Sequence, residues 1–335
     1  MTKLIVFVLL SVVATLAYAE ADKTVAASEA GGQTSSLSQQ QITQLSYIAQ
    51  DQNEPPQVRA QALQDLAKFP SQNALVAVVR GLKDSSSVIR EAAINASEPY
   101  PLEHRWRMVS PLLNDDQQSV RVTAMINLVP DYMRISEEQR DQLKAPLAEL
   151  IQYLEPLSDE DAQLLLADVY RWHNQWFEAD KRYRFLLDSN SNNPDVWLGL
   201  ADNYRAQSQD KQALEILDLA IANIPDTPSF HYSKALALVR LNDKASAADE
   251  IELAASLAEV NSYFWYLNGV LQEPFDIDKS VQSFEKAYLI SGSPEQLYAL
   301  CDIYVRHANA KSEACLDELA KVAPNHVINQ LRAKA

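Results

Sequence analysis

From Ser38 to the C-terminus, apolar positions recur at intervals of three and four residues, while strictly alternating runs rich in β-branched residues are missing. That pattern predicts helices throughout and no sheet. Helix starts are marked as well. Ser158-Asp159-Glu160-Asp161 reads as a capping sequence, and Pro194-Asp195 suits a first turn, where the missing proline N–H costs nothing.

The helical pattern repeats. Val58-Arg59, Ile89-Arg90 and Val120-Arg121 align with their arginines 31 residues apart. Three residues after each arginine comes Ala62, Ala93 or Ala124, followed by Leu63, Ile94 or Met125. Upstream, Leu82-Lys83-Asp84 matches Leu113-Asn114-Asp115. A helix ending at an acidic turn, then a second helix opening on an aliphatic-Arg pair, is a helical hairpin. The alanines let paired helices approach, and the arginine is expected to tie the inter-helix turn rather than hold a ligand. These three units look like HEAT repeats and occupy 38–135.

Beyond a connecting segment at 136–157, the period lengthens. Trp197, Leu200, Ala201, Tyr204, Ala213, Leu217, Ala220 and Pro225 fall on the signature positions of a 34-residue tetratricopeptide unit. The unit before it supplies Leu166, Ala167, Tyr170, Ala179 and Tyr183, and the unit after it Ala235, Ala247, Ile251 and Ala254. Two weaker units follow, one with Trp265, Gly269, Phe284 and Ala287, the other with Leu300, Cys301, Tyr304, Ala314 and Pro324. About five tetratricopeptide units therefore fill 158–335. The fold class expected is an all-α helical-repeat solenoid, HEAT-like repeats followed by tetratricopeptide repeats, each hairpin burying an apolar face against the next.

The first nineteen residues depart from this pattern. Lys3, the apolar run Leu4–Leu16 and Ala17-Tyr18-Ala19 form a secretory signal with cleavage expected before Glu20. The run is shorter than the ~20 residues a membrane span needs, so no insertion is expected after cleavage. Residues 20–37 are small and polar and read as a leader. Export places the chain in the periplasm. The 335-residue sequence has 29 basic and 45 acidic residues, a net charge of −16. That balance disfavours nucleic acid and anionic membranes and suits a basic partner, though it also simply keeps a protein in solution.

Catalytic and metal motifs are missing from the sequence. His104, His173, His231, His307 and His326 are scattered, with no second ligand at metal spacing. There is no phosphate loop and no nucleophile–base pair. No cofactor, metal or catalytic residue is assigned. The groove-facing candidates come instead from the first helices of the tetratricopeptide hairpins: Arg171, Trp172, Arg205, Tyr232, Arg240, Tyr266, Tyr298 and Arg306, with Asp168, Asp202, Tyr263 and Asp302 alongside. Arginine forks hold carboxylates and tyrosines give large contact areas, so a peptide groove is one reading. Ordinary pairing within each helix is the other, because Asp168/Arg171 and Asp202/Arg205 are i,i+3 and Asp302/Arg306 is i,i+4. Cys301 and Cys315 are placed near the crossing of the last hairpin. In an oxidising compartment they are expected to form a disulfide, two buried thiols being the alternative.

The order of HEAT units followed by tetratricopeptide units resembles the C-terminal region of bacterial exported multihaem cytochromes c. The wording Leu166-Ala167-Asp168-Val169-Tyr170-Arg171, Leu200-Ala201-Asp202-Asn203-Tyr204-Arg205 and Leu236-Ala237-Leu238-Val239-Arg240 is similar to that region's repeats. Those cytochromes carry Cys-x-x-Cys-His haem sites, and this sequence has none. The resemblance therefore implies the scaffold without the redox chemistry. It also implies a non-catalytic partner-binding adaptor serving an exported cytochrome or its maturation machinery. An enzyme or cofactor carrier with a site between the arrays, and a structural spacer, stay open as alternatives. A visible spectrum separates the enzyme or carrier from the haem-free scaffold.

Overall fold

The computed structural model describes residues 39–334, so the expected signal at 1–19 and leader at 20–37 lie outside the described residues. Among the described residues there are eighteen α-helices, two short 3₁₀ turns and no strand. They form two compact units, one ending at Asn190 and the other beginning at Ser191.

The first unit opens with hairpins α1 (Gln39–Gln50)/α2 (Pro56–Ala67) and α3 (Gln72–Gly81)/α4 (Ser87–Ala96). The third hairpin has α5 (Leu102–Val109) and α6 (Gln118–Leu128), with the chain between them tightened into a 3₁₀ turn, Ser110–Asn114. Pro111 accounts for that turn, because a proline cannot donate to the helix ladder. Stacking buries Leu63, Ile89, Ile94, Val120, Met125 and Leu128 completely, each contributing about 1.5–3 kcal/mol of apolar transfer. Gly81 sits where helices cross. A Cβ there would lie 2.9 Å from the Ala93 methyl, so the close approach needs glycine.

The arginines that mark the period do two jobs each. Arg90 donates from Nη1 to the backbone carbonyls of Asp84 and Ser85 in its own inter-helix turn, at 2.8 and 3.1 Å. It also donates from Nε and Nη2 to both oxygens of Asp115, in the turn of the next hairpin, at 2.8 Å each. Arg59 reaches Asp84 at 2.6 Å in the same way. Arg121 holds its own turn through the Asp115 carbonyl, 2.7 Å, and reaches Glu149 at 2.6 and 2.9 Å. The two turn acids are each held by a backbone donor, Ser86 N–H to Asp84 and Gln117 N–H to Asp115, both 2.9 Å. The result is a ladder running through three hairpin junctions.

Glu149 belongs to α7 (Glu137–Leu154), the segment expected to be a connector. It is more than that. Leu143, Leu147, Leu150 and Leu154 are buried in the same core as α6 and the following helix, so α7 is an integral layer of this unit. A capping box opens it: the Ser136 hydroxyl accepts from Gln139 N–H, and the Gln139 side chain accepts from Ser136 N–H. The unit closes with α8 (Glu160–Trp172) and α9 (Trp176–Ser189), the first hairpin of the 34-residue type. At the other end, Val58 and Gln61 occupy the register of the buried Ile89 and Ala92 but are exposed.

The second unit contains α10 (Pro194–Ala206)/α11 (Asp210–Asn223), α12 (Pro228–Arg240)/α13 (Lys244–Leu257), α14 (Ser262–Gln272)/α15 (Ile277–Ser291), α16 (Pro294–Arg306)/α17 (Ser312–Leu319) and α18 (Asn325–Arg332). From α10 to α17 each helix packs on the next in sequence, with Ala201, Ala213, Ala220, Ala247, Ala254 and Ala287 fully buried, whereas α18 packs on α16. Three of its hairpin turns are built alike, and so is the α8/α9 turn. One residue adopts a left-handed conformation, Asn174, Ser208, Asn242 or Ala308, and the following N–H bonds back five residues. Thus Gln175 N–H meets Tyr170 C=O at 2.8 Å and Gln209 N–H meets Tyr204 C=O at 3.0 Å. This closure satisfies helix-end carbonyls.

The tryptophans of the 34-residue signature lock the loops that lead into their helices. Trp197 Nε1–H donates to the Ser191 carbonyl at 2.8 Å, and Trp265 Nε1–H to the Glu259 carbonyl at 2.9 Å. Gly269 is required by packing, since an added Cβ would lie 2.8 Å from the Phe284 ring. In the last hairpin Cys301 and Cys315 are joined by a disulfide, Cα atoms 5.4 Å apart. The small residue at that crossing is Cys315, which is buried, whereas Ala314 is exposed, one residue out of the phase read from the sequence. The final helix, α18, lays Ile328 and Leu331 into the same apolar cluster and turns its polar side outward.

Candidate functional site

The eight candidate groove residues divide between the units. Arg171 and Trp172 end α8 in the first, and the other six lie on α10, α12, α14 and α16 in the second.

Arg171 is committed within its own hairpin. It donates to Asp168 at 3.0 Å and to the Tyr183 hydroxyl at 3.1 Å, while that hydroxyl donates to Asp168 at 2.5 Å. Tyr183 is fully buried. Burial, then the Asp168 charge, hold its phenol far above the ordinary range. The Arg171 guanidinium lies 5.5 Å from the Trp172 ring, a cation–π distance.

In the second unit the arginines reach between hairpins. Arg205, almost fully buried, pairs with Asp202 at 2.6 Å and donates to the Ser233 hydroxyl on α12 at 3.0 Å. Arg240 pairs with Asp210 of the preceding hairpin at 2.9 Å. Arg306 holds Asp302 at 2.6 Å and Glu273 beyond the end of α14, its second bond there measuring 3.1 Å; His307 contacts the same Glu273 at 2.9 Å. Burial pushes the Glu273 carboxyl upward, but bonds from Arg306 and His307 outweigh it and leave the group below its usual range. The intrahelical pairs read from the spacing are present. The bonds to Ser233, Asp210 and Glu273 were not legible, because they depend on the register between hairpins.

The tyrosines differ by position. Tyr232 is 4% exposed, stacked on Phe264 at 5.1 Å and edge-on to Tyr263 at 6.2 Å. It belongs to the core rather than to an open face, which corrects its placement as a contact residue. Burial first, then Tyr263, raise its phenol well above the usual value. Tyr266 is half-buried and edge-on to Phe284 at 5.7 Å. Tyr298 is the most open, at 37%. Lys334, from the turn after α18, places its ammonium 5.9 Å from the Tyr298 ring and 2.6 Å from Asp302. No feature of the periodicity pointed to Lys334.

A second concavity lies in the first unit, between the turns of the second and third hairpins. It is a cleft of about 480 Å³ bordered by Lys83, Ser85, Ser87, Arg90, Asp115 and Asp116. Its central charges, Arg90 and Asp115, are spent on each other. Among the described residues no group of three or more His, Cys, Asp or Glu side chains is placed to hold a metal ion. No helix among them is long and apolar enough to cross a membrane.

No family model matches the chain, and no curated protein matches it. Solved structures do show similarity. YrrB, a tetratricopeptide protein with an unusual peptide-binding site, is 18% identical, spanning 56% of this chain and 98% of that one with a TM-score of 0.42. MamA is 18% identical over 51% of this chain and 98% of its own, TM-score 0.40. PilF of Pseudomonas aeruginosa is 18% identical over 65% of this chain and 99% of its own, TM-score 0.42. At that level the alignments carry no argument of their own; the helical-repeat fold stands on the hairpins, turns and crossings of this chain.

Proposed function

We propose that the chain is an exported protein-binding scaffold without catalytic machinery of its own, working through the first-helix face of its second unit. The observation that carries this reading is that Tyr266 and Tyr298 stay partly open while the arginines of the same unit's first helices are committed to acids. A face stiffened by ion pairs between hairpins presents aromatic area at low entropic cost, which favours protein contact over carboxylate capture by free guanidinium forks. The secretory pattern at the N-terminus makes the partner an exported protein. The resemblance to multihaem cytochrome repeats makes a c-type cytochrome, or a component that assembles one, the first class to test.

The test is site-specific photo-crosslinking in cells, with a benzophenone amino acid at position 298 and a control at the exposed Leu289 on α15. A defined adduct at 298 and none at 289 supports the reading. Equal or absent adducts at both positions overturn it.

A further inference from the structure

The end of that face already holds a ligand-like group. Asp302 sits one turn after Tyr298 on α16, and its two oxygens are used differently. Oδ2 accepts from Arg306 Nε at 2.6 Å, which fixes the carboxylate from within the helix. Oδ1 accepts from Lys334 Nζ, also at 2.6 Å, and that ammonium lies 5.9 Å from the Tyr298 ring. Tyr266, on α14, stands close enough to feel the Asp302 charge: burial first, then Tyr263 and Asp302, push its phenol upward. A carboxylate flanked by aromatic rings is the chemistry that recognises an ammonium group, by a charge-assisted bond on one side and cation–π attraction on the other.

Lys334 is a replaceable occupant. Its side chain remains 44% exposed, against 17% for Asp302, so the acid is fixed while the lysine is not. The segment bearing it is held on α16 by Ile328 and Leu331 of α18, not by the lysine itself. A pair whose lysine is this open to solvent contributes little to stability, and an incoming lysine would regain what the outgoing one loses. The excess of acid over base, a net −16, draws cationic segments toward the chain.

We propose that Tyr298 and Asp302 form a recognition site for a lysine ammonium of a basic partner segment, occupied in the free chain by Lys334 as an internal stand-in. This deepens the scaffold reading by naming its partner's chemistry. The partner competes with the chain's own Lys334, which sets the threshold for binding.

The experiment uses the full chain and a fluorescein-labelled peptide of alternating lysine and alanine, read by polarisation at fixed salt. Lys334→Ala vacates the site and is expected to tighten peptide binding about fivefold, the scale of one exposed ion pair. Adding Asp302→Asn or Tyr298→Ala to that variant is expected to remove the gain. Asp317→Asn, an equal charge change at an exposed residue of α17, is expected to leave it intact. Circular dichroism melts confirm that each variant folds, and Tyr298→Ala keeps the test alive should Asp302→Asn disturb Arg306. Equal binding by wild type and Lys334→Ala overturns the proposal, as does an equal loss from Asp317→Asn and Asp302→Asn. A position-298 adduct in cells without a Lys334 effect leaves the scaffold standing and removes the lysine site. A Lys334 effect without an adduct does the reverse.

Discussion

Replacing Arg90 by alanine should loosen the first unit at one junction. The side chain makes two bonds to Asp115 and two to turn carbonyls, and the ion pair is about nine-tenths buried, with side-chain exposures of 12% and 10%. Removing one partner of a fully buried pair costs about 3–5 kcal/mol. The open cleft beside this pair lets water reach the abandoned groups, so about 2–3 kcal/mol is the expected loss. Repeat stacks open locally, so the assay is native-state hydrogen exchange resolved by peptide. Protection in α4 and α6 should fall roughly 30- to 150-fold, while α12 and α13 of the other unit stay unchanged. In a cycle with Asp115→Ala the two effects should fall short of additivity by about 1–2 kcal/mol. The pH dependence has a definite sign. Burial raises the Asp115 carboxyl, but the Arg90 bond and the Gln117 N–H outweigh it and leave the group below its ordinary 3.8. Its contribution is therefore complete above the unfolded value and is lost as pH falls through the lower folded value, and Arg90→Ala should flatten that acid limb. A loss under about 0.5 kcal/mol, or strict additivity in the cycle, refutes the ladder as a stabilising device.

Gly269→Ala should cost about 1–3 kcal/mol by forcing the Phe284 ring out of contact, read as a lower urea midpoint, whereas the same change at Gly292, open but left-handed, tests backbone strain alone. Ala308→Gly should stabilise by up to about 1 kcal/mol, because Ala308 is exposed and held at φ 50°; no change in melting would show that the turn tolerates the methyl. Replacing both cysteines by alanine should lower the stability of the last hairpin by about 3 kcal/mol on the loop-entropy scale for a 14-residue separation, and thiol titration of the denatured, unreduced wild type should find no free thiols.

Periodicity in the sequence specified hairpins, their phase and the alanines at their crossings, because those depend only on which residues share one helix face. Partners across hairpins were a different matter. Asp84 and Asp115 were visible as matching turn acids, yet nothing in a 31-residue spacing says that Arg59 and Arg90 reach forward to the next turn as well as holding their own. Tyr232, Tyr266 and Tyr298 share one position within their hairpins and looked equivalent. Their exposures diverge because Phe264 and Tyr263 cover Tyr232, whereas the Tyr298 ring has the Lys334 ammonium 5.9 Å away. Alanine as a marker also failed once: α17 runs only eight residues, and its buried phase falls on Cys315 rather than Ala314.

The Arg–acid ladder gives the second and third hairpins of the first unit a plug on one side and a socket on the other. The second and third hairpins present an acid backward and an arginine forward, so they are interchangeable parts in a directional series. A gene duplication that copied one whole hairpin would bring its own plug and socket, and the inserted copy would find both neighbours already compatible. The series ends on a different part, α7, whose glutamate has one more methylene and reaches back from a helix rather than a turn. A chain lengthened by one such hairpin would keep every junction of the series chemically unchanged.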